Sequence, residues 1–203
     1  MHHSQPVNTH QMTTMDELEL LKRYAAGERD FSSICLIDLD LSGAYLSGAN
    51  FARSELTGVN LANATLSVAN FSEANLSEAD LSHANLFGAF LSGANLSRAV
   101  LKSANLTESD LSGASLINVD LSDATLHLTC LAEANLMAAN LTGAKMCGAK
   151  LWKANLCNVD LNGADLCDAN LCEVNLSGAL LGAVDTSETI LTGATMPHGE
   201  IHG

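Results

Sequence analysis

From Phe31 to Leu181 every fifth residue is Leu, Phe or Met, without a slip. Thr186 interrupts the series, and Leu191 and Met196 resume it in register. Two positions before each large residue stands a small or modest apolar one, usually Ala, as at Ala44, Ala49, Ala64 and Ala69. Asn or Asp often fills the place between them, as in "SGANL" and "SEADL", and Ser or Thr, then often Gly, follows. A period of five suits neither a helix, which needs about 3.6, nor a strand, which needs 2. Wound as a helix, the leucines would spiral round the axis and bury no single face. A chain that turns a corner every five residues instead sends one large and one small residue inward on each side. The Ser, Thr and Gly positions suit the corners.

A second period lies over the first. Phe31, Phe51 and Phe71 are 20 residues apart, and the unusual inward residues Leu39, Val59, Val119 and Val159 differ by multiples of 20. Four sides of five make one coil, so residues 20 apart stack at about 4.8 Å. Outward charges agree with this register: Arg53 falls beside Glu73, Arg98 beside Glu78, and Lys153 between Glu133 and Glu173. The expected fold is an all-β solenoid of about 8 coils and roughly 40 Å, whose stability is a sum over neighbouring coils.

Such a stack needs caps at its ends. Residues 1–13 are polar and expected to be a disordered tail. Residues 14–30 supply a capping helix, at about 15–26, and a link. Thr14 with Glu17 forms a candidate capping box, Gly27 a stop, and Leu18, Leu21 and Ala25 an apolar stripe. The repeat fills 31–196, and 197–203 form a C-terminal tail beginning at Pro197. That tail either folds across the last coil or leaves it open to an end-to-end homodimer; the molecule is otherwise a monomer.

Composition narrows the function. The chain is 47% hydrophobic but 4% aromatic, and its formal charge is −14. That charge disfavours direct nucleic-acid binding and docking on an anionic membrane, and suits a basic protein partner. No apolar run is long enough for a membrane span, and no signal peptide is evident. The six cysteines form no CxxC pair, which suits reduced thiols in the cytoplasm.

Candidate chemistry is sparse. No nucleophile elbow, P-loop, HExxH or placed GxGxxG occurs, and a shaft filled by Leu and Ala has no pocket, so no enzyme and no cofactor are expected. Cys147 and Cys167 stack with His127 on one outward column, but a ladder does not converge as metal ligands must, so no metal is expected either. The surface offers more. One column reads Asp40, Asn60, Asp80, Val100, Asp120, Asn140, Asp160, Leu180, with carboxylates about 10 Å apart. This is either ordinary repeat chemistry or an acidic stripe for a basic partner. Exposed apolar residues collect as Phe87, Phe90, Leu128 and Cys130 on one side, with Ile190 further along, and as Ile117, Met137 and Cys157 on the opposite side. Trp152 sits on a third side among Lys145, Lys150 and Lys153. Contiguous apolar patches mark interfaces. The candidate partner-binding residues are therefore Phe87, Phe90, Leu128, Trp152, Asp40, Asp80, Asp120 and Asp160.

The motif, roughly A-(N/D)-L-x-x over residues 31–196, resembles the pentapeptide-repeat family. The strings "LLKRYAAGERDF" and "LTGATMPHGEIHG" resemble the ends of its cyanobacterial members. The resemblance implies a right-handed quadrilateral β-helix and a cyanobacterial protein that acts through contact with another protein. It also implies an alternative, since some members mimic duplex DNA and bind DNA gyrase. A third reading is a structural repeat protein with no dedicated partner.

Overall fold

The computed structural model describes residues 12–203 and is a right-handed, four-sided β-helix closed at its N-terminal end by one helix. Single parallel bridge pairs join residues 20 apart, from Asp30 with Asn50 through Asn175 with Thr195. In the regular shaft a rung residue donates its N–H to the coil ahead (Leu96 to the Ser115 carbonyl, 2.7 Å), and the residue before it donates to the coil behind (Asn95 to the Ala74 carbonyl, 2.9 Å). The four sides are numbered here by their first rung residues, Phe31, Leu36, Leu41 and Leu46. Phe31, Phe51 and Phe71 stack inside the first side, with ring centroids 5.7 and 5.3 Å apart.

Each corner is a turn in which the small inward residue donates to the preceding rung carbonyl, as Ala44 does to Leu41 (3.1 Å). The second of the two residues between them lies in the left-handed region, the signature of a type II turn. Every fifth residue from Ser33 to Gly193 adopts it, with the exception of Glu188. This explains the frequent Gly there. The Asn or Asp before each rung also supports the turn, because its Oδ1 accepts the N–H two residues on, as Asn95 does from Ser97 (3.1 Å). The core is Leu and Ala throughout, and its buried hydroxyls bond to rung carbonyls (Ser109 and Thr129 to Leu106, both 2.7 Å).

The cap differs from expectation in detail. Thr14 belongs to a short strand β1 (Thr13–Thr14) that pairs in parallel with β2 (Ile34–Cys35). Thr13 is thus structured and not part of a tail; the expectation for residues 1–11 lies outside the described residues. Helix α1 runs Glu17–Ala25, and its N-cap is Asp16, which accepts from the Glu19 N–H at 2.8 Å. A charged N-cap outcompetes the Thr14 box because Thr14 is committed to the strand pairing. The helix ends in a Schellman motif, with Glu28 donating to Arg23 and Gly27, at φ 98°, to Tyr24. The apolar stripe is also rotated from the predicted one. Leu20 is fully buried on the first coil with Leu21 and Tyr24 beside it, whereas Leu18 is 77% exposed. The Tyr24 hydroxyl fixes this orientation by donating to the Ser47 carbonyl (2.8 Å).

At the other end, residues after Pro197 turn back. Ile201 pairs antiparallel with Thr195, Gly193 donates to the His202 carbonyl, and His202 donates to that of Ala194, both at 2.8 Å. The tail therefore covers the last rung edge on this side. Of the predicted charge ladder, Arg98–Glu78 (3.2 Å) and Lys153–Glu173 (3.6 Å) are made. Arg53 forms no ion pair with Glu73, and its charge acts instead on Asp30.

Candidate functional site

The fourth side carries the most exposed apolar surface. Phe87 follows the rung Leu86, and Phe90 ends the same pentapeptide, half exposed at 51%. One coil earlier stands Val68, 52% exposed and not singled out in the sequence pattern. Val68 and Leu128 both occupy left-handed turn positions, at φ 54° and 57°. A β-branched or bulky residue is rare there, and its side chain is forced outward. Each leans over a glycine of the next coil. Val68 Cγ1 lies 3.4 Å from where a Gly88 Cβ would stand, and Leu128 Cδ2 2.8 Å from a Gly148 Cβ. Gly148 is therefore what lets Leu128 lie flat against the shaft, whereas a Cβ at Gly88 would only touch Val68.

Register divides this side into two islands. Asp110 pairs with both Phe90 and Cys130, so the polar coil of Thr107, Glu108 and Asp110 separates Val68, Phe87 and Phe90 from Leu128 and Cys130. Leu128 is 54% exposed, and Ile190 lies further along the Phe90 column. The signal that sequence reading passed over was Val in a turn place usually held by Gly or a polar residue.

The aspartate stripe lies where the second side meets the third. Bridge pairs run Asp40–Asn60–Asp80–Val100–Asp120–Asn140–Asp160–Leu180 in unbroken order. Each carboxylate spends one oxygen on its own turn: Asp40 on Ser42, Asp80 on Ser82, Asp120 on Ser122 and Asp160 on Asn162, at 2.9–3.0 Å. Donation by the Ser42 backbone and hydroxyl holds the Asp40 carboxyl below the usual carboxylate range. Asn makes the same turn bond at other positions, so the turn does not require the stripe's charge. Trp152 is occupied within the protein: Lys153 Nζ lies 4.3 Å from its ring centroid, and its indole N–H donates to Glu173 at 3.4 Å. A surface depression of about 340 Å³ on the second side is lined by Ser77, Asn95, Ser97, Ile117 and the Arg98–Glu78 pair.

The rung defect at Thr186 opens the fourth side near its C-terminal end. The bridge series that includes Lys145 with Asp165 does not extend to Asp185. The N–H groups of Leu166 and Asp168 find no acceptor in the next coil among the described residues. A crevice of about 100 Å³ forms there, lined by Asp165, Cys167, Asp185, Ser187 and Glu188. Cys167 Sγ donates to Glu188 Oε2 at 3.2 Å, and this bond, with Cys147 and burial, pushes the thiol's pKa up to about 12. All six cysteines are free thiols. Among the described residues no helix is long and apolar enough to cross a membrane.

The family model described as pentapeptide repeats matches the chain in eight copies spanning residues 34–185. The chain is similar to HetL, a pentapeptide repeat protein involved in heterocyst differentiation regulation from the cyanobacterium Nostoc sp. strain PCC 7120. Identity is 32% over 93% of this chain and 100% of that one, with a TM-score of 0.44. A trypsin-treated form of QnrB1, a plasmid-mediated fluoroquinolone resistance protein, shares the fold. It is 22% identical over 84% of this chain and 86% of its own, with a TM-score of 0.66. None of the curated proteins is significantly similar to the sequence.

Proposed function

The chain belongs to the pentapeptide repeat family, and from that premise we propose a non-enzymatic scaffold that regulates another protein by binding it through the fourth side of the shaft. One observation carries this reading. Val68 and Leu128 stand in left-handed turn positions on the side that also exposes Phe87 and Phe90. An L-residue pushed into that region costs about 1–2 kcal/mol. Gly or Asn would relieve the cost, so apolar surface is retained there at the expense of stability. The conformation recurs at the corners of every side, so what singles out this side is the exposed apolar side chain placed in it. Aromatic side chains such as Phe87 and Phe90 are the usual anchors of a protein interface. The six free thiols suit a reducing compartment, and we place the protein in the cytoplasm.

A second reading rests on charge. No Lys or Arg occurs from residue 154 to 196, and the Asp40–Asp160 stripe presents carboxylates at regular spacing. A rod with that field could occupy the DNA-binding surface of an enzyme such as gyrase.

Capture of the native partner from extract separates the two. Phe87→Ser with Phe90→Ser should abolish capture, while Asp→Asn at Asp40, Asp80, Asp120 and Asp160 should leave most of it, since the amides keep the turn bonds. Loss of capture in the stripe variant alone, together with inhibition of gyrase supercoiling by the wild type at low salt, would replace the scaffold reading with the mimic.

A further inference from the structure

A chain of identical coils offers ligands in ladders, and ladders do not close around an ion. The corner opened by Thr186 is the exception. Among the described residues, Cys147 Sγ, Cys167 Sγ and a carboxylate oxygen of Asp168 all lie within 4.8 Å of one another. Cys167 Sγ is 3.7 Å from Asp168 Oδ2 and 3.2 Å from Glu188 Oε2. In a tetrahedral zinc site, with bonds of about 2.3 Å to sulfur and about 2.0 Å to oxygen, a sulfur–oxygen edge is about 3.5 Å. The Cys167–Asp168 distance is close to that edge.

We propose that Cys147, Cys167 and Asp168 form a binding site for a thiophilic divalent cation of the zinc class, with Glu188 holding Cys167 from outside the ligand set. Three features of the corner make it a site where other stacked residues are not. The two thiols come from adjacent coils of one column, which fixes their separation through the ladder rather than through flexible loops. Asp168 is the turn residue after Cys167, held at φ 54°, and a carboxylate oxygen of it lies within 4.8 Å of both thiols. Glu188 would follow the same course one coil on if Thr186 were a leucine; instead it lies outside the left-handed region and hydrogen-bonds Cys167. The defect thus supplies a carboxylate that orients Cys167 from outside the three converging groups. Asp165 and Asp185 line the crevice, and with Asp168 and Glu188 they set four carboxylates against Lys145, which pairs with Asp165, and Lys150, so the local field still favours a cation. His127, next on the thiol column, is not one of the converging groups. Binding forms two metal–sulfur bonds, and the two thiol protons leave to solvent. A cation here would tie together two successive coils beside the place where the backbone ladder has opened.

The test uses the full chain kept reduced, with Co²⁺ as the spectroscopic probe and Zn²⁺ as competitor. One equivalent of Co²⁺ should give a sulfur-to-metal charge-transfer band and the intense visible bands of tetrahedral coordination. Zn²⁺ should abolish both. Cys147→Ser or Cys167→Ser should remove the charge-transfer band and weaken Zn²⁺ binding by at least ~100-fold, and Glu188→Gln should weaken it by ~10-fold or more. Cys157→Ser with Cys172→Ser should change nothing. Circular dichroism of each variant checks that the fold is retained. Absence of the band in the wild type, its survival in Cys167→Ser, or its loss in the Cys157/Cys172 variant would each overturn the assignment. Because the band reports sulfur ligation, cobalt held by the N-terminal histidines does not imitate it.

Discussion

Met146 and Thr186 occupy the same rung of the fourth side, two coils apart, and what surrounds them differs sharply. At Met146 the rung N–H reaches the Asp165 carbonyl and Gly148 that of Cys167, both at 2.8 Å. One coil on, the corresponding donors of Leu166 and Asp168 face the Thr186 coil and find no such acceptor among the described residues. The large residue of each pentapeptide therefore does more than fill the shaft. It draws its corner inward far enough for the left-handed turn and the parallel ladder to form together. A threonine is shorter and carries a hydroxyl, so burial no longer draws the corner in: the ladder is lost at Asp185 and the left-handed conformation at Glu188, while the turn bond from Thr189 to the Thr186 carbonyl remains (3.1 Å). The ladder recovers within one side, at Ile190 with Asn170, because each coil is held by its neighbours through four independent rungs.

The largest effect expected from this contrast is at the centre of the regular shaft. Leu96→Asp buries a charge with no partner and should cost several kcal/mol or prevent folding. Thr186→Asp, at a corner already open, should change the unfolding midpoint by less than a fifth of that. Urea titration followed by circular dichroism compares the two, and equal losses would erase the distinction between shaft and defect. A smaller effect of opposite sign should follow repair. Thr186→Leu restores a buried side chain worth about 1.5–3 kcal/mol and should raise stability by about 1–2 kcal/mol once the reordering of the corner is subtracted. It should also draw Glu188 away from Cys167 and weaken cobalt binding.

Much of this was legible from residue spacing. The five-residue series placed every rung, and Phe31, Phe51 and Phe71 gave the four-sided register. Thr186 was visible as a break, but its consequence was not, because the loss of a ladder pair depends on how neighbouring coils relax. The convergence of Asp168 and Glu188 on Cys167 was hidden for the same reason: strict periodicity predicts parallel columns. At the cap, Leu18 and Leu20 satisfy helical spacing about equally well, and only the docking of Tyr24 on Ser47 selects Leu20. Val68 was missed because spacing alone does not report that its corner position is left-handed. It is the place where an apolar residue is most costly to the backbone.

That cost gives the next prediction. Val68→Asn should raise stability by about 1 kcal/mol through relief of the left-handed strain, while weakening capture of the partner. A variant more stable yet unimpaired in binding would detach Val68 from the proposed site. The smallest effects belong to the turn carboxylates. Asp30, Asp40 and Asp185 have folded pKa values held below the ordinary carboxylate range, chiefly by donation from Ser32, Ser42 and Ser187. Their contribution is complete above the unfolded carboxylate pKa and is lost as pH falls through the lowered folded values. Acid unfolding curves of the wild type should therefore be steeper than those of an Asp30→Asn, Asp40→Asn, Asp185→Asn variant, in which the amides keep the turns without titrating.

One rung stands open in a shaft whose other rungs are closed, and native-state amide hydrogen exchange reads this residue by residue. The amides of Met146 and Gly148 should exchange at the rate of global unfolding. Those of Leu166 and Asp168 should exchange orders of magnitude faster, and Thr186→Leu should restore their protection. Equal protection of the four amides in the wild-type protein would contradict the open rung.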